Sequence, residues 1–140
     1  MNLKNIQNSV AYTQNHFLQN LFSDDFSASE NNVYFYANRY LSGFDGEMWG
    51  FTPLPDEGCY MAPLVSSEWQ LSSHSRAEGM TVSSDAAGII ITALVLNHRS
   101  WFFDRHDEEE LCAHFCRRHR QLMACAATHP EAETIFLALV

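Results

Sequence analysis

The chain has 140 residues, 46% apolar and 18% charged, which is a globular composition and excludes disorder. Acids outnumber bases by 17 to 8, giving a formal charge of −9 with neutral histidines. That balance excludes a broad basic face for nucleic-acid phosphates and fits either a soluble surface or attraction to a basic protein.

One domain over residues 1–140 is expected, large enough to bury roughly two-thirds of its unfolded surface without disulfide or metal staples. The opening Met1-Asn2-Leu3-Lys4-Asn5 lacks the pattern of a signal peptide. Three of the four cysteines, Cys112, Cys116 and Cys125, fall within one helical pattern, with Cys59 apart. A secreted disulfide framework would spread them differently, so the chain reads as cytoplasmic with reduced thiols.

Residues 8–22 carry Val10, Phe17, Leu18, Leu21 and Phe22 at helical spacing. Asp24-Asp25 interrupts, and Ser29 is placed to cap a second helix with Val33, Ala37, Tyr40 and Leu41 inside and Tyr36 beside them. Gly43 is positioned to end it. Trp49 to Thr52 alternates as a strand, and Pro53-Leu54-Pro55-Asp56-Glu57-Gly58 is turn chemistry. Cys59 to Ala62 is a second strand before Pro63, with further strands at Trp69/Leu71 and Met80/Val82. Short connections favour an antiparallel meander.

Ser83 or Ser84 caps the next helix, Ala86 to about Asn97, which is apolar on nearly every side. Its longest apolar run, Ala86 to Leu96, falls short of the ~20 residues of a membrane span. The small Ala86, Ala87 and Gly88 let a sheet approach closely. A long helix begins near Asp104 or Asp107, with Asp107, Glu108, Glu109 and Glu110 early and Arg117, Arg118 and Arg120 later, matching its dipole. Leu111, Phe115, Leu122, Met123 and Ala126 face inward, and His129-Pro130 separates a short helix over 131–139. The fold class is α+β: a small antiparallel sheet of three or four strands against about five helices.

Several residue sets invite chemistry. Cys112, Cys116 and His119 lie at i, i+4 and i+7, a spacing that could share zinc with His98 or Cys59 as a fourth ligand. No second ligand pair accompanies them, and cysteines are common in cores. His106-Asp107 resembles the metal doublet of some phosphohydrolases, but His98, His114 and His119 do not complete such a site, and a helix cap with a dipole-matched acid accounts for the pair. Ser83-Ser84-Asp85 lacks a nucleophile elbow, and Gly43-x-x-Gly46 lacks the lysine of a phosphate loop. Trp49, Phe51, Tyr60 and Trp69 could stack bases, but Asp45, Glu47, Asp56, Glu57, Glu68, Glu78 and Asp85 surround them against Arg76 alone. These aromatics read as the core face of the sheet. No catalytic, metal or cofactor residue is assigned, and no small-molecule substrate is expected.

Four segments carry a resemblance. Gly43-Phe44-Asp45-Gly46-Glu47-Met48-Trp49 resembles the aromatic-glycine-tryptophan segment of the ArdB/KlcA antirestriction family. Gly58-Cys59-Tyr60-Met61-Ala62-Pro63 looks like its tyrosine-methionine-proline strand, and Ser83 to Ile90 through Leu96-Asn97-His98 like its most characteristic stretch. His129-Pro130-Glu131-Ala132 is similar to its C-terminal segment. The similarity runs in order over residues 8 to 139, departing at Phe44, at Asp56-Glu57-Gly58 and at Arg99 to Asp107. The same motifs also read as fold: Gly46 and Gly58 as turns, Trp49, Tyr60 and Met61 as core.

The resemblance implies a protein of plasmids and genomic islands that protects incoming DNA from type I restriction–modification enzymes. It implies no catalytic centre and no cofactor, so no functional residue carries over and the partner-binding residues stay unassigned. The implied partner is the type I complex or an associated host protein, without tight DNA binding and without a membrane. Three alternatives stay open: an acidic DNA mimic, a small metal-dependent hydrolase, and a generic interaction module.

Overall fold

The structure, a computed structural model, describes residues 14–140. Chain order gives helix α1 over 14–22, a 3-10 turn at Ser23–Asp25 and helix α2 over Phe26–Tyr40. Four strands follow: β1 Trp49–Pro53, β2 Cys59–Pro63, β3 Glu68–Gln70 and β4 Thr81–Ser83. Helices α3 Ser84–Arg105, α4 Glu109–Ala127 and α5 Ala132–Ala138 complete the chain. The α+β class holds. The expected start of α1, residues 8–13 with Val10, lies outside the described residues.

The strands pair as two separate antiparallel ladders, β1 with β2 and β3 with β4. Phe51 lies opposite Met61, and Trp69 opposite Val82. An isolated antiparallel bridge joins Leu41 to Leu71, beside β3. A continuous meander would need β2 to pair with β3. Instead the intervening segment bonds to α3: Ser84 N–H donates to the Ser67 carbonyl at 3.0 Å, and Ser67 N–H to Ser84 Oγ at 3.1 Å.

Helix α3 is the centre. From Ala86 to Ala93 every residue is buried, and Val95, Leu96, Ser100 and Phe103 continue the core. It packs against α4, β2 and α2, and also touches α5 and β4. Its 22 residues exceed the expected end at Asn97, because Arg99 and Phe103 find partners inside the fold. By length and composition alone this helix could cross a bilayer, but the surrounding elements cover 61% of its most apolar window. Close approach to β2 depends on Gly88. A Cβ there would overlap the Met61 carbonyl and the Ala62 methyl, and lie 2.6 Å from Ala62 Cα. Thr92 adds a polar tie, accepting from Met61 N–H and donating to the Met61 carbonyl, both at 3.1 Å.

Phe22, Phe103 and Phe115 stack in series, joining α1, α3 and α4. Arg118 pins α1 to α4 by donating Nε–H to the Asn20 carbonyl and Nη2–H to Asn20 Oδ1, each at 2.9 Å. Asn20 and Gln121 then hold the β1–β2 turn through the carbonyls of Glu57 and Asp56.

Three helix boundaries differ from expectation. Ser29 is buried inside α2 and does not cap it; its hydroxyl donates to Asp25 Oδ2 at 2.8 Å. Helix α2 stops because Leu41 turns extended to meet Leu71, and Gly43, at φ +78°, serves the turn beyond. Asp104 belongs to α3, while α4 starts at Glu109 after Asp107 takes a left-handed φ of +56°.

Candidate functional site

The motif-rich start of α3 is where β2, β4 and α5 converge. Ser83 is the N-cap: its Oγ accepts Ala86 N–H at 3.1 Å, as the sequence predicts for a helix start. The same hydroxyl donates to Glu131 Oε2, and Ser83 N–H donates to Glu131 Oε1 at 2.9 Å. Ser84 uses its full capacity. Its Oγ accepts Trp69 Nε1–H at 2.9 Å and Ser67 N–H, and donates to the Val65 carbonyl at 2.6 Å. Neither serine is poised as a nucleophile, because both hydroxyls are committed to the fold.

Asp85 receives two donors. Tyr60 Oη–H donates to Oδ1 at 2.5 Å, and His129 Nε2 lies 2.9 Å from Oδ2. His129 Nδ1 accepts Glu131 N–H at 3.0 Å, so a neutral imidazole carries its proton on Nε2 and donates it to Asp85. Burial first, then the Asp85 carboxylate, raise the Tyr60 hydroxyl well above its usual range and keep it a donor. The result is a continuous run of hydrogen bonds, Tyr60–Asp85–His129–Glu131–Ser83, that ties the start of α5 to the start of α3. The separate motifs are legible in the sequence, but the run that links them is not. Glu131 offered no signal beyond its place after His129-Pro130.

The other candidate sets fall elsewhere. Trp49, Tyr60 and Trp69 are buried and Phe51 is half-buried, stacked on Phe17 at 5.4 Å, so these rings are core as expected. His106 is the C-cap of α3, and Glu108, the residue that opens α4, makes no side-chain cap bond. The expected cap at His106-Asp107 is therefore replaced by a tight interhelical turn in which Phe103's carbonyl accepts both His106 N–H and Glu108 N–H. All four cysteines are free thiols. Cys112 and Cys116 interact along α4; burial and then the neighbouring Cys116 raise Cys112. Cys59 lies on β2, where burial pushes its thiol up to about 11, and its Sγ faces the Phe17 carbonyl. His98 meets Tyr36 edge-on at 5.9 Å. Among the described residues no three His, Cys, Asp or Glu side chains gather closely enough to hold a metal ion.

Comparison with known proteins fits this core. The model of the family described as antirestriction protein matches residues 42–139, from the turn before β1 to the end of the last helix. The chain belongs to the antirestriction protein family. Family relatives include YubI of Escherichia coli (strain K12), 37% identical over 123 residues, which span 88% of this chain and 86% of YubI. Antirestriction protein KlcA of Escherichia coli is 28% identical over 107 residues, covering 76% of this chain and 73% of KlcA. A solved chain from the structures of KlcA and ArdB superposes with a TM-score of 0.75 at 29% identity, covering 89% of this chain and 87% of that one. The KlcA and ArdB proteins are described as having a novel fold and antirestriction activity against type I DNA restriction systems in vivo but not in vitro.

Proposed function

We propose that this chain protects incoming DNA from type I restriction–modification systems inside the cytoplasm, by binding a protein and not by catalysis. The observation that carries this reading is the shared fold with KlcA and ArdB, whose activity is seen in vivo but not in vitro. An effect that needs the cell needs a cellular partner: the restriction complex in its native setting or a host protein associated with it. The α3 junction supports binding over chemistry, because Ser83, Ser84 and Asp85 are each held by fold-building hydrogen bonds. The test is plating of unmodified phage on a type I host with and without the chain. Survival should rise with expression; unchanged plating at good soluble levels overturns the reading.

A further inference from the structure

The chain is acidic, yet one surface groove is aromatic and carries Arg105 as its one fully charged lining residue. It has a volume of about 390 Å³ and runs between α2 and the C-terminal half of α3. Tyr36 and Tyr40 form one wall, and His98, Trp101 and Arg105 the other, with no aspartate or glutamate among the lining residues. Trp101 is 59% exposed, whereas the chain's other tryptophans, Trp49 and Trp69, are buried. Phe102 is held by the Arg99 guanidinium at 4.3 Å and the His106 ring at 4.3 Å. Arg39 lies over Tyr40 at 5.9 Å and adds a further cation at the rim.

The walls are fixed. Arg99 of α3 forms a two-pronged ion pair with Asp25 before α2, at 2.8 and 2.9 Å, with both side chains only 11% exposed. An exposed tryptophan on rigid helices, beside tyrosines and arginine, has the composition of an interface centre. A preset groove also lowers the ordering cost of binding.

We propose that this groove docks an acidic segment of a partner protein, with an apolar or aromatic side chain against Trp101 and a carboxylate on Arg105. Charge complementarity selects this occupant. A net charge of −9 repels a polyanion along its length, whereas a short peptide with a few carboxylates feels chiefly the charges within a Debye length of about 8 Å. As the surface for the partner, the groove rests on the antirestriction reading above.

Two experiments test it separately from that reading. In the plating assay, Trp101→Ala and Arg105→Glu should each lower protection about tenfold or more. The distant, exposed Met48→Ala should stay within about twofold. Each variant is matched for soluble level and thermal unfolding. Wild-type protection with no loss in Trp101→Ala and Arg105→Glu overturns the groove and leaves the function standing. The second experiment needs no restriction host: tryptophan fluorescence, to which Trp101 contributes as the exposed ring beside buried Trp49 and Trp69, is titrated with a short synthetic peptide of glutamates flanking one phenylalanine. Saturable quenching that disappears in Arg105→Glu, and is absent with a lysine-flanked peptide, supports the proposal even if the wild-type chain fails to protect. No response to the acidic peptide overturns it. Tighter binding of an oligothymidylate at about 150 mM salt, or a concentration-dependent dimer lost in Trp101→Ala, overturns it in favour of nucleic acid or a second copy.

Discussion

Glu131 accepts both the N–H and the hydroxyl of Ser83, 48 residues earlier, and so completes the cap of α3 from the start of α5. Ser83 Oγ makes the cap bond to Ala86 N–H, and Glu131 orients that hydroxyl. Glu131→Ala should therefore lower stability by about 2 kcal/mol, the scale of hydrogen bonds to a charged acceptor. Glu131→Gln, which keeps one acceptor, should lose less. Urea unfolding at neutral pH checks both; equal stability of Glu131→Ala and wild type would show that Ser83 caps unaided.

Ile90 and Leu94 sit one turn apart on α3, but only Ile90 is fully enclosed, at 1% exposure. Leu94 is half-buried and lines the aromatic groove. Ile90→Asp should cost roughly 3 kcal/mol or more, because it buries an unpaired carboxylate. Leu94→Asp should cost clearly less, since its carboxylate can reach water through the groove. Thermal unfolding of the two variants ranks them; a reversed order would misplace the core.

His114 and His119 on α4 are both held below the ordinary histidine value by burial, although the Leu21 carbonyl, which accepts His114 Nε2–H at 3.0 Å, partly opposes this for His114. The fold therefore favours neutral rings, and the unfolded chain binds more protons near and below its pKa of 6.5. Their contribution to stability is complete well above that value. It is lost as pH falls from there through the lowered folded pKa values. Tm should drop between about pH 7.5 and 5.5, and His119→Gln should make that drop shallower. An unchanged slope in His119→Gln would remove His119 as a source.

Neutralising exposed acids should spare function. Asp56 and Glu57 lie in the β1–β2 turn, and Glu108 and Glu109 at the start of α4. Asp56→Asn with Glu57→Gln, and separately Glu108→Gln with Glu109→Gln, should leave protection within a few-fold of wild type, since each charge is worth only about 0.3–1 kcal/mol at a surface. A DNA mimic would depend on such carboxylates together. Loss of protection in both double variants, with folding intact, would favour mimicry over a docked partner segment.

The features whose signal is local were legible in the chain. The all-round apolar run Ala86 to Leu96 announced a central helix, because period and polarity report burial directly. The Pro53–Gly58 turn, the Ser83 cap and the small residues facing β2 were equally legible, since turns, caps and close approach depend on a few neighbouring residues. Family membership came the same way, from ordered short motifs. The remaining features depend on contacts between residues far apart in the chain. Ser84 holds residues 65–67 and so splits the strands into two ladders. Arg99 carries α3 past Asn97 because its partner, Asp25, lies 74 residues away. The groove of Tyr36, Trp101 and Arg105 forms where α2 packs beside α3, with the Arg99–Asp25 ion pair tying that contact. A hydrogen bond or ion pair between distant residues leaves no periodic trace in the chain. It is fixed when packing around α3 brings the two side chains within about 3 Å, and no local pattern names the partner in advance.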